Sequence, residues 1–327
     1  MRRKLPTAGV ALVLLALLAA ATPAAPAVDY PTRPVTLVVA FPPGGASDVL
    51  ARIVGRKLEQ VLGQPVVIDN RPGAGGNVAA DVVAHAAADG YTLLAGNNAI
   101  LATNAALYKK INFDPVADFA PIGLIGSQAN ILVVNPALPI TSLAELIGFA
   151  KANPGKLNFA SSGHGLAAHL AGELFKAEAK IDIVHVPYKG AAPALQDVIA
   201  GHVQMMFATA SSVVPHIREG KVRALAVATL KRTAVLPDVP TMDELGLKDF
   251  DATTWHGVVA PAHTPRDVVA ALNRALVASL ADAGVKKSLG DLGVDVIGGT
   301  PDEFAAYIRS EIPKWSAIIK ASGAKLE

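Results

Sequence analysis

One stretch near the N-terminus decides the fold: Val35-Thr36-Leu37-Val38-Val39-Ala40-Phe41-Pro42-Pro43-Gly44-Gly45-Ala46-Ser47-Asp48. It begins as an apolar strand, continues as a proline- and glycine-rich loop, and leads into residues 49–62, whose apolar side chains recur at helical spacing. Ser47 or Asp48 is predicted to cap this helix. The first N–H groups of a helix lack internal partners and lie at its positive end, so they attract small anions. The stretch therefore predicts an anion site or, alternatively, an ordinary strand-to-helix turn without a ligand.

The strand-loop-helix order recurs along the first third of the chain. Residues 65–88 and 91–107 form two further units, with polar or glycine-rich loops at 73–77 and 96–98. Repetition of this order predicts a parallel sheet with crossover helices. Because ligands of such sheets bind at the carboxyl ends of the strands, these loops are candidate ligand contacts.

Two later segments are predicted to cross between domains. Residues 122–134 contain two apolar runs joined by a short polar link, and residues 250–260 form a second extended run. The chain is therefore predicted to be an α/β protein with two domains, each a mostly parallel sheet flanked by helices, and with the two crossings as a hinge. Domain 1 would comprise 29–128 plus 253–327, and domain 2 would comprise 129–252.

The N-terminus has the pattern of a secretory signal peptide. Basic residues at positions 2–4 precede an apolar run at 9–21, and Ala25-Pro26-Ala27 offers a small-residue cleavage site before Val28. The apolar run is shorter than the ~20 residues that a membrane-spanning helix needs. We therefore expect residues 1–27 to be removed and the mature protein to be exported.

Charge and cysteine content narrow the class of protein. The full chain has 29 basic and 27 acidic residues, and removal of the basic residues at positions 2–4 leaves a slightly acidic mature chain. This balance argues against a nucleic-acid partner, which needs a basic patch. The chain has no cysteine, so it forms no disulfide and carries no cysteine-linked lipid.

A second polar loop, Ser161-Ser162-Gly163-His164-Gly165, copies the opening unit, since it lies between a predicted strand and a predicted helix at 166–179. A nucleophile elbow requires Gly-x-Ser-x-Gly. Here Phe159 and Ala160 precede the serines, so that pattern fails. A secreted serine hydrolase that uses this loop stays open as the alternative to a binding protein. The simpler prediction is that the serine hydroxyls cap the helix.

The histidines and glycines indicate neither a metal site nor a cofactor. His164 and His169 are five residues apart without a nearby carboxylate cluster, and His185 is expected to be structural or on the surface. The glycine-rich turn at 73–77 is a poor dinucleotide fingerprint. We therefore predict no metal and no cofactor.

Several motifs occur in a fixed order along nearly the whole mature chain, from about residue 30 to 327. They are Phe41-Pro42-Pro43-Gly44-Gly45-Ala46-Ser47-Asp48 with Arg52, Asn70-Arg71-Pro72-Gly73-Ala74-Gly75-Gly76, Pro187-Tyr188-Lys189-Gly190, Leu236-Pro237-Asp238-Val239-Pro240-Thr241 and Trp255-His256-Gly257. Together they resemble the tripartite tricarboxylate transporter substrate-binding proteins, often called Bug receptors.

The resemblance implies a periplasmic receptor rather than an enzyme, with the two-domain periplasmic-binding-protein (Venus flytrap) fold. Such a receptor captures a small carboxylate in an interdomain cleft: a di- or tricarboxylate, an acidic amino acid or an aromatic acid. It implies a carboxylate held by loop backbone and hydroxyls without a salt-bridging arginine. We expect a monomer whose partners are membrane transporter subunits or a sensor protein. The sequence names neither the carboxylate nor the partner.

Carried onto matching positions, the resemblance also implies the ligand contacts. The first domain would contribute Phe41, Gly45, Ala46, Ser47 and Asp48, with Asn97 or Asn98 beside them. The second domain would contribute Ser161, Ser162, Gly163, His164 and Thr209, with Tyr188 nearby. His164 and Thr209 fall where the family varies, so they are expected to set specificity.

Overall fold

The structure is a computed structural model that describes residues 29–322, with side chains to residue 320. The predicted signal peptide, residues 1–27, lies outside this part of the chain. Within the described residues, no single helix is long and apolar enough to cross a membrane. One bent helix pair, 266–281 with 283–291, meets that criterion by length and composition alone.

Within residues 29–322, eleven strands form two sheets. The strand bounds are β1 Val35–Val39, β2 Val66–Asn70, β3 Thr92–Asn97, β4 Phe119–Gln128, β5 Asn130–Val134, β6 Asn158–Ser161, β7 Val184–Pro187, β8 Met205–Thr209, β9 Arg223–Val227, β10 Thr254–Pro261 and β11 Val294–Gly298. The first sheet has the order β11-β4-β10-β3-β1-β2, and the second has the order β7-β6-β8-β5-β9. Central strands such as β1 are apolar and buried on both faces, as expected for sheets covered by helices on both sides.

Helices connect these strands. Their bounds are α1 Ala46–Leu62, α2 Asn77–Ala84, α3 Asn104–Leu107, α4 Leu143–Ala152, α5 Ala167–Ala179, α6 Ala191–Ala200, α7 Ala210–Arg218, α8 Arg266–Ala281, α9 Ala283–Asp291 and α10 Pro301–Ser322. A short 3-10 turn, Ala74–Gly76, precedes α2, and a π-helical segment, Ala99–Thr103, precedes α3. Helix α7 was not predicted from the sequence, since its first residues, Ala210, Ser211 and Ser212, read as a polar loop.

The predicted fold class is confirmed, and both sheets are mixed rather than mostly parallel. β1 pairs in parallel with β2 and β3, and β6 pairs in parallel with β7 and β8. By contrast, β10 runs antiparallel to β3 and β4, and β5 runs antiparallel to β8 and β9. The strands that carry the chain between the sheets run against the strand-loop-helix units, which accounts for the mixed pairing.

The chain passes between the sheets at two places. β4 ends at Gln128 and β5 begins at Asn130, so one residue separates them, and the return passage leads from β9 to β10. The Asn130 side-chain amide donates to the Ala252 carbonyl (2.6 Å) and to Thr254 Oγ1 (3.0 Å), which ties the two passages together. The exact extent of the two domains as separate units, 29–128 plus 253–327 and 129–252, stays a prediction.

Strand β10 is anchored to the last helix. Trp255, which is fully buried, donates from its indole nitrogen to Glu311 Oε2 (2.9 Å), and Trp315 donates to the same oxygen (2.8 Å). A buried carboxylate is costly without partners, and these two donors satisfy it. The anchor fixes β10 so that the neighbouring residues Thr254 and His256 face the cleft described below.

Candidate ligand-binding cleft

A cleft of about 1010 Å³ is lined by residues from both sheets and their connecting loops. Its walls come from the loops that follow β1, β3, β6, β7 and β8. These are carboxyl ends of strands, where ligands of open α/β sheets bind. The sequence therefore predicted correctly which end of each strand carries the cleft.

In the described part of the chain, four α-helices begin at this cleft, and no described side chain caps any of the four. Their N-cap residues are Gly45 for α1, Leu166 for α5, Gly190 for α6 and Thr209 for α7, and all four line the cleft. The first N–H groups of each helix have no partner inside the helix and carry its positive partial charge. The cleft therefore offers several backbone donors to a small anion.

The predicted N-caps of α1 are wrong. Helix α1 starts one turn earlier than expected, with Gly45 as N-cap, so Ser47 and Asp48 lie within its first turn. Gly45 is extended, and its N–H points back to the Pro42 carbonyl (3.4 Å). Pro42, Pro43 and Gly44 form a tight turn, and Gly45 follows it as the N-cap of α1.

Asp48 was predicted as a ligand contact, but it does not line the cleft. It is 2% exposed, and its Oδ2 accepts from the Gly44 N–H and from Arg52 Nε, both at 2.9 Å. Its Oδ1 accepts from the Asn70 amide at 2.9 Å. Burial alone would raise the pKa of Asp48, but these hydrogen bonds outweigh it and hold the pKa below its usual range. Asp48 therefore fixes the shape of the 41–48 loop from behind.

Ser161 was also predicted as a contact, and it too lies behind the cleft wall. It is fully buried, and its hydroxyl donates to the Gly163 carbonyl (3.1 Å) and accepts from the Gly163 N–H (3.2 Å). The same oxygen lies 2.6 Å from Nε2 of His185, which agrees with the structural role predicted for this histidine. The serines of this loop do not cap α5, whose N-cap is Leu166.

Tyr188 is likewise absent from the cleft lining. Its hydroxyl donates to Asp197 on α6 (2.5 Å). Burial, together with the nearby Asp197 carboxylate, raises the pKa of Tyr188 to about 12. The tyrosine is therefore tied to the second half of α6, and its neighbour Lys189 lines the cleft instead.

The remaining predicted residues all line the cleft: Phe41, Gly45, Ala46, Ser47, Asn97, Asn98, Ser162, Gly163, His164 and Thr209. The amide nitrogen of Asn98 is buried and has no hydrogen-bond partner among the described residues. Thr209 Oγ1 lies 3.1 Å from Ser212 Oγ. Their contact with a ligand stays a prediction.

The described part of the cleft wall carries little charge. Among the described residues that line it, Lys189 is the one lysine, and there is no arginine, aspartate or glutamate. Arg52, the nearest candidate cation in the sequence motif, is held by Asp48 and by the Asn70 side chain (3.2 Å). An anion in this cleft would meet no acidic side chain among the described residues, and its donors would be neutral groups and Lys189.

Sequence reasoning missed several polar groups at the cleft. Asn130 Oδ1, His216 Nδ1 and His256 Nε2 are buried atoms without a hydrogen-bond partner in the described part of the chain, and all three residues line the cleft. Burial lowers the pKa of His256 to about 4, so its imidazole is neutral at pH 7. Asn130 and His256 lie in the crossing segments, but no periodicity shows which face of a crossing strand meets a cleft.

Comparison with known proteins identifies relatives of this chain. Residues 50–324 match the family described as "Tripartite tricarboxylate transporter family receptor". Protein BugT of Bordetella pertussis is 40% identical over 299 residues, which cover 91% of this chain and 92% of BugT.

Two solved structures are similar over most of their length. A Rhodopseudomonas palustris protein with adipate has a TM-score of 0.85 and 39% identity, covering 91% of this chain and 100% of that one. MatC from R. palustris, with bound malate, has a TM-score of 0.81 and 36% identity, covering 89% of this chain and 100% of MatC.

Proposed function

Because the chain belongs to the tripartite tricarboxylate transporter receptor family, we propose that it captures a small carboxylate in the cleft between its two sheets. One observation carries this proposal: four helix N-termini without side-chain caps line a cleft wall in which the described residues include no acidic side chain. Such a wall favours a negatively charged ligand.

The ligand would be bound mainly by neutral donors. Backbone N–H groups at the starts of α1 and α5, with the hydroxyls of Ser47, Ser162 and Thr209, can each donate to a carboxylate oxygen. Hydrogen bonds to a charged acceptor contribute roughly 1.5–3 kcal/mol each. The cleft volume of about 1010 Å³ leaves room for a ligand that is larger than a single carboxylate group, such as a dicarboxylate. Adipate and malate, which similar proteins bind, are the first compounds to test.

We propose that binding is coupled to hinge movement at the two crossings. The donors come from both sheets, so a ligand that contacts all of them favours the arrangement that brings the sheets together. The two sides already meet at Gly165, since a Cβ there would overlap the Leu107 side chain. Gly165 also has a φ of +74°, a conformation that favours glycine.

Receptors of this family are periplasmic. We propose that this chain is exported through removal of residues 1–27, so that the mature protein begins near Val28. It would then deliver its ligand to transporter subunits in the membrane or present it to a sensor protein. N-terminal sequencing of the exported protein tests this step, and a mature chain that still begins with Met1 would contradict it.

The test of the ligand class has two stages. Mass spectrometry of small molecules released from purified, denatured protein should find an organic acid. Calorimetry with adipate, malate and other di- and tricarboxylates, alongside their uncharged amides, should then give saturable binding of one or more acids and none of the amides. Equal binding of acid and amide would overturn the proposal.

We further propose that the chain is not a hydrolase. One contact favours that alternative, because Ser161 Oγ lies 2.6 Å from His185 Nε2. However, Ser161 is fully buried and also bonded to the Gly163 backbone, and no described carboxylate bonds to the other ring nitrogen of His185. A panel of esters and amides should therefore show no turnover. Turnover that Ser161→Ala or Ser162→Ala abolished would support the hydrolase.

A further inference from the structure

A row of polar side chains crosses the cleft where the chain passes between the two sheets. Asn97 lies opposite His256 in the β3–β10 pairing, and Thr254 lies two residues before His256 on β10. The Asn130 amide nitrogen donates to Thr254 Oγ1 (3.0 Å), and Asn130 lies opposite Thr209 in the β5–β8 pairing. Side chains that are two residues apart on a strand, or directly opposite on paired strands, share one face of a sheet. The row therefore leads from the first sheet to the second, and all five residues line the cleft.

The orientation of the Asn130 side chain is fixed by its amide nitrogen. That nitrogen donates to the Ala252 carbonyl (2.6 Å) and to Thr254 Oγ1 (3.0 Å), so both of its hydrogens are used. Because a carbonyl oxygen only accepts hydrogen bonds, the amide cannot be turned around. Asn130 Oδ1 is therefore an acceptor, and this buried atom has no hydrogen-bond partner among the described residues. A buried acceptor without a donor is unfavourable, so this point of the cleft favours a ligand group that donates.

Thr254 provides a second hydrogen-bonding group beside this acceptor. Its Oγ1 accepts from the Asn130 amide, so its own hydroxyl hydrogen is directed at a different group. The oxygen and the nitrogen of an amide are about 2.2 Å apart, so Asn130 Oδ1 and Thr254 Oγ1 lie within about 5 Å of each other. One ligand oxygen at about 2.8 Å from each of them can therefore bond to both.

A hydroxyl group matches this pair better than a charged group does. It can donate to Asn130 Oδ1 and accept from the Thr254 hydroxyl at the same time. A carboxylate oxygen only accepts, so it would repel Asn130 Oδ1. An ammonium group only donates, and the described cleft wall has no acidic side chain to offset its charge. The His256 imidazole in the same row is also neutral at pH 7, because burial lowers its pKa to about 4.

We propose that Asn130 and Thr254 form a subsite for a hydroxyl group of the ligand, so that the receptor prefers a hydroxycarboxylate to the same acid without the hydroxyl. This inference rests on the proposed capture of a carboxylate. Thr209, which lies opposite Asn130, is the N-cap of the open helix α7. Side chains directly opposite each other on paired strands are about 5 Å apart. A carboxylate at that helix end and a hydroxyl at the subsite can therefore belong to one small acid.

The experiment is calorimetry of the mature protein with pairs of acids that differ in one hydroxyl. The pairs are malate and succinate, citrate and propane-1,2,3-tricarboxylate, and 3-hydroxyadipate and adipate, with both enantiomers where they exist. In each pair that binds, the hydroxy acid should bind more tightly by roughly 10–100-fold, because the other acid leaves Asn130 Oδ1 without a donor. Aspartate, which has an ammonium group in place of the malate hydroxyl, should bind more weakly than malate.

Variants at Thr254 test whether the preference arises at this subsite. Thr254→Val removes the hydroxyl and keeps the shape of the side chain, so it should reduce the preference within a pair by about ten-fold. Thr254→Ser retains a hydroxyl and should restore most of the preference. Thr253→Val is the matched control, because the Thr253 hydroxyl donates to Asp251 and Thr253 does not line the cleft. It should keep the full preference. General damage to the cleft would weaken both acids of a pair equally, and thermal melts report on folding.

The outcomes separate this inference from the proposed function. Equal binding of both acids in every pair that binds would overturn the subsite and leave carboxylate capture standing. A water molecule that stays bound at Asn130 Oδ1 would give that result. Tighter binding of aspartate than of malate, or a full preference in folded Thr254→Val, would also overturn the subsite. If none of these acids binds saturably, the proposed function fails and the subsite fails with it.

Discussion

The helices that begin at the cleft differ from two helices, α4 and α9, that begin on the outer surface, whereas α8, which also begins away from the cleft, has no side-chain cap among the described residues. The outer helix α4 is capped by Ser142, whose hydroxyl accepts from the Glu145 N–H (3.2 Å), and the Glu145 carboxylate in turn accepts from the Thr141 N–H (2.7 Å). Asp282 caps α9 in the same manner. The cleft helices α1, α5, α6 and α7 have no such caps. Helix ends whose donors are satisfied internally contribute to stability, whereas open ends keep their donors for a ligand.

The largest expected effect comes from filling the cleft beside an open helix end. Ser162→Leu places a bulky apolar side chain between the 161–165 loop and the opposite wall, so it should nearly abolish carboxylate binding. Because Ser162 is not part of the buried core, the melting temperature should stay close to that of the parent. Calorimetry with the acid identified above measures the affinity. If Ser162→Leu binds like the parent with an unchanged melt, the ligand does not lie at the open helix ends.

A milder change should have a graded effect. Ser162→Ala removes one hydroxyl donor and leaves the backbone donors in place. Loss of one hydrogen bond to a charged acceptor should weaken binding about ten-fold. Ser212→Ala is a useful comparison, because its hydroxyl already donates to the Thr209 carbonyl (2.8 Å) and is less available to a ligand. An equal loss in both variants would show that cleft hydroxyls act through loop structure rather than by direct contact.

The same contrast explains what the sequence could and could not predict. Strand and helix periodicity was sufficient to predict the strand-end loops at 41–48, 96–98 and 161–165, whereas single contacts such as Ser162 and Thr209 were implied by the family resemblance. Local sequence cannot show whether a polar side chain turns toward a ligand or toward its own loop. Asp48 was therefore placed in the cleft, although Gly44, Arg52 and Asn70 hold it behind the wall.

Contacts between residues far apart in the chain could not be predicted from the sequence, for another reason. Ser161 and His185 are 24 residues apart, and Asn130 bonds across 122 residues to Ala252. Such contacts depend on the order of strands in the sheets, β7-β6-β8-β5-β9 in this case, and the linear order of the chain does not specify it. His164 and His185 lie close to each other because β7 pairs with β6.

Removal of an outer cap should have the opposite consequence to Ser162→Leu. Ser142→Ala removes the hydroxyl that caps α4, which should lower the free energy of unfolding by about 1 kcal/mol. Ligand affinity should be unchanged, because α4 does not line the cleft. Urea unfolding and calorimetry on the same variant measure the two quantities. Weaker binding with unchanged stability would contradict the division between outer and cleft helix ends.

Acid should weaken the outer caps. Backbone hydrogen bonds from Thr141 and Thr300 lower the pKa values of Glu145 and Glu303 below the ordinary value of 4.5. A carboxyl whose pKa is lower in the folded than in the unfolded state stabilises the fold above its ordinary pKa, and this contribution is lost as the pH falls through the folded-state pKa. We therefore expect a Glu145→Gln/Glu303→Gln variant to be less stable than the parent at pH 7.

The difference in stability between that variant and the parent should shrink as the pH falls below about 4.5. Urea unfolding midpoints of both proteins, measured from pH 7 down to pH 3, give this difference. The contributions of all other titrating groups are the same in both proteins, so they cancel in the difference. A difference that stays constant over the whole range would mean that the two glutamates act through packing rather than through their charge.

The smallest expected effect is that of salt on carboxylate binding. Open helix ends and hydroxyls act at contact distance inside a cleft, where mobile ions screen poorly. Between about 0.01 M and 0.15 M salt the Debye length falls from roughly 30 Å to 8 Å, and the affinity should change by less than about three-fold. Lys189→Gln removes the one lysine of the described cleft wall and should leave the salt dependence unchanged. A steep loss of affinity that disappears in Lys189→Gln would assign the anion to that side chain. A steep loss that persists in the variant would point to a cation elsewhere. Either result would contradict the proposal that the open helix ends are the main donors to the carboxylate.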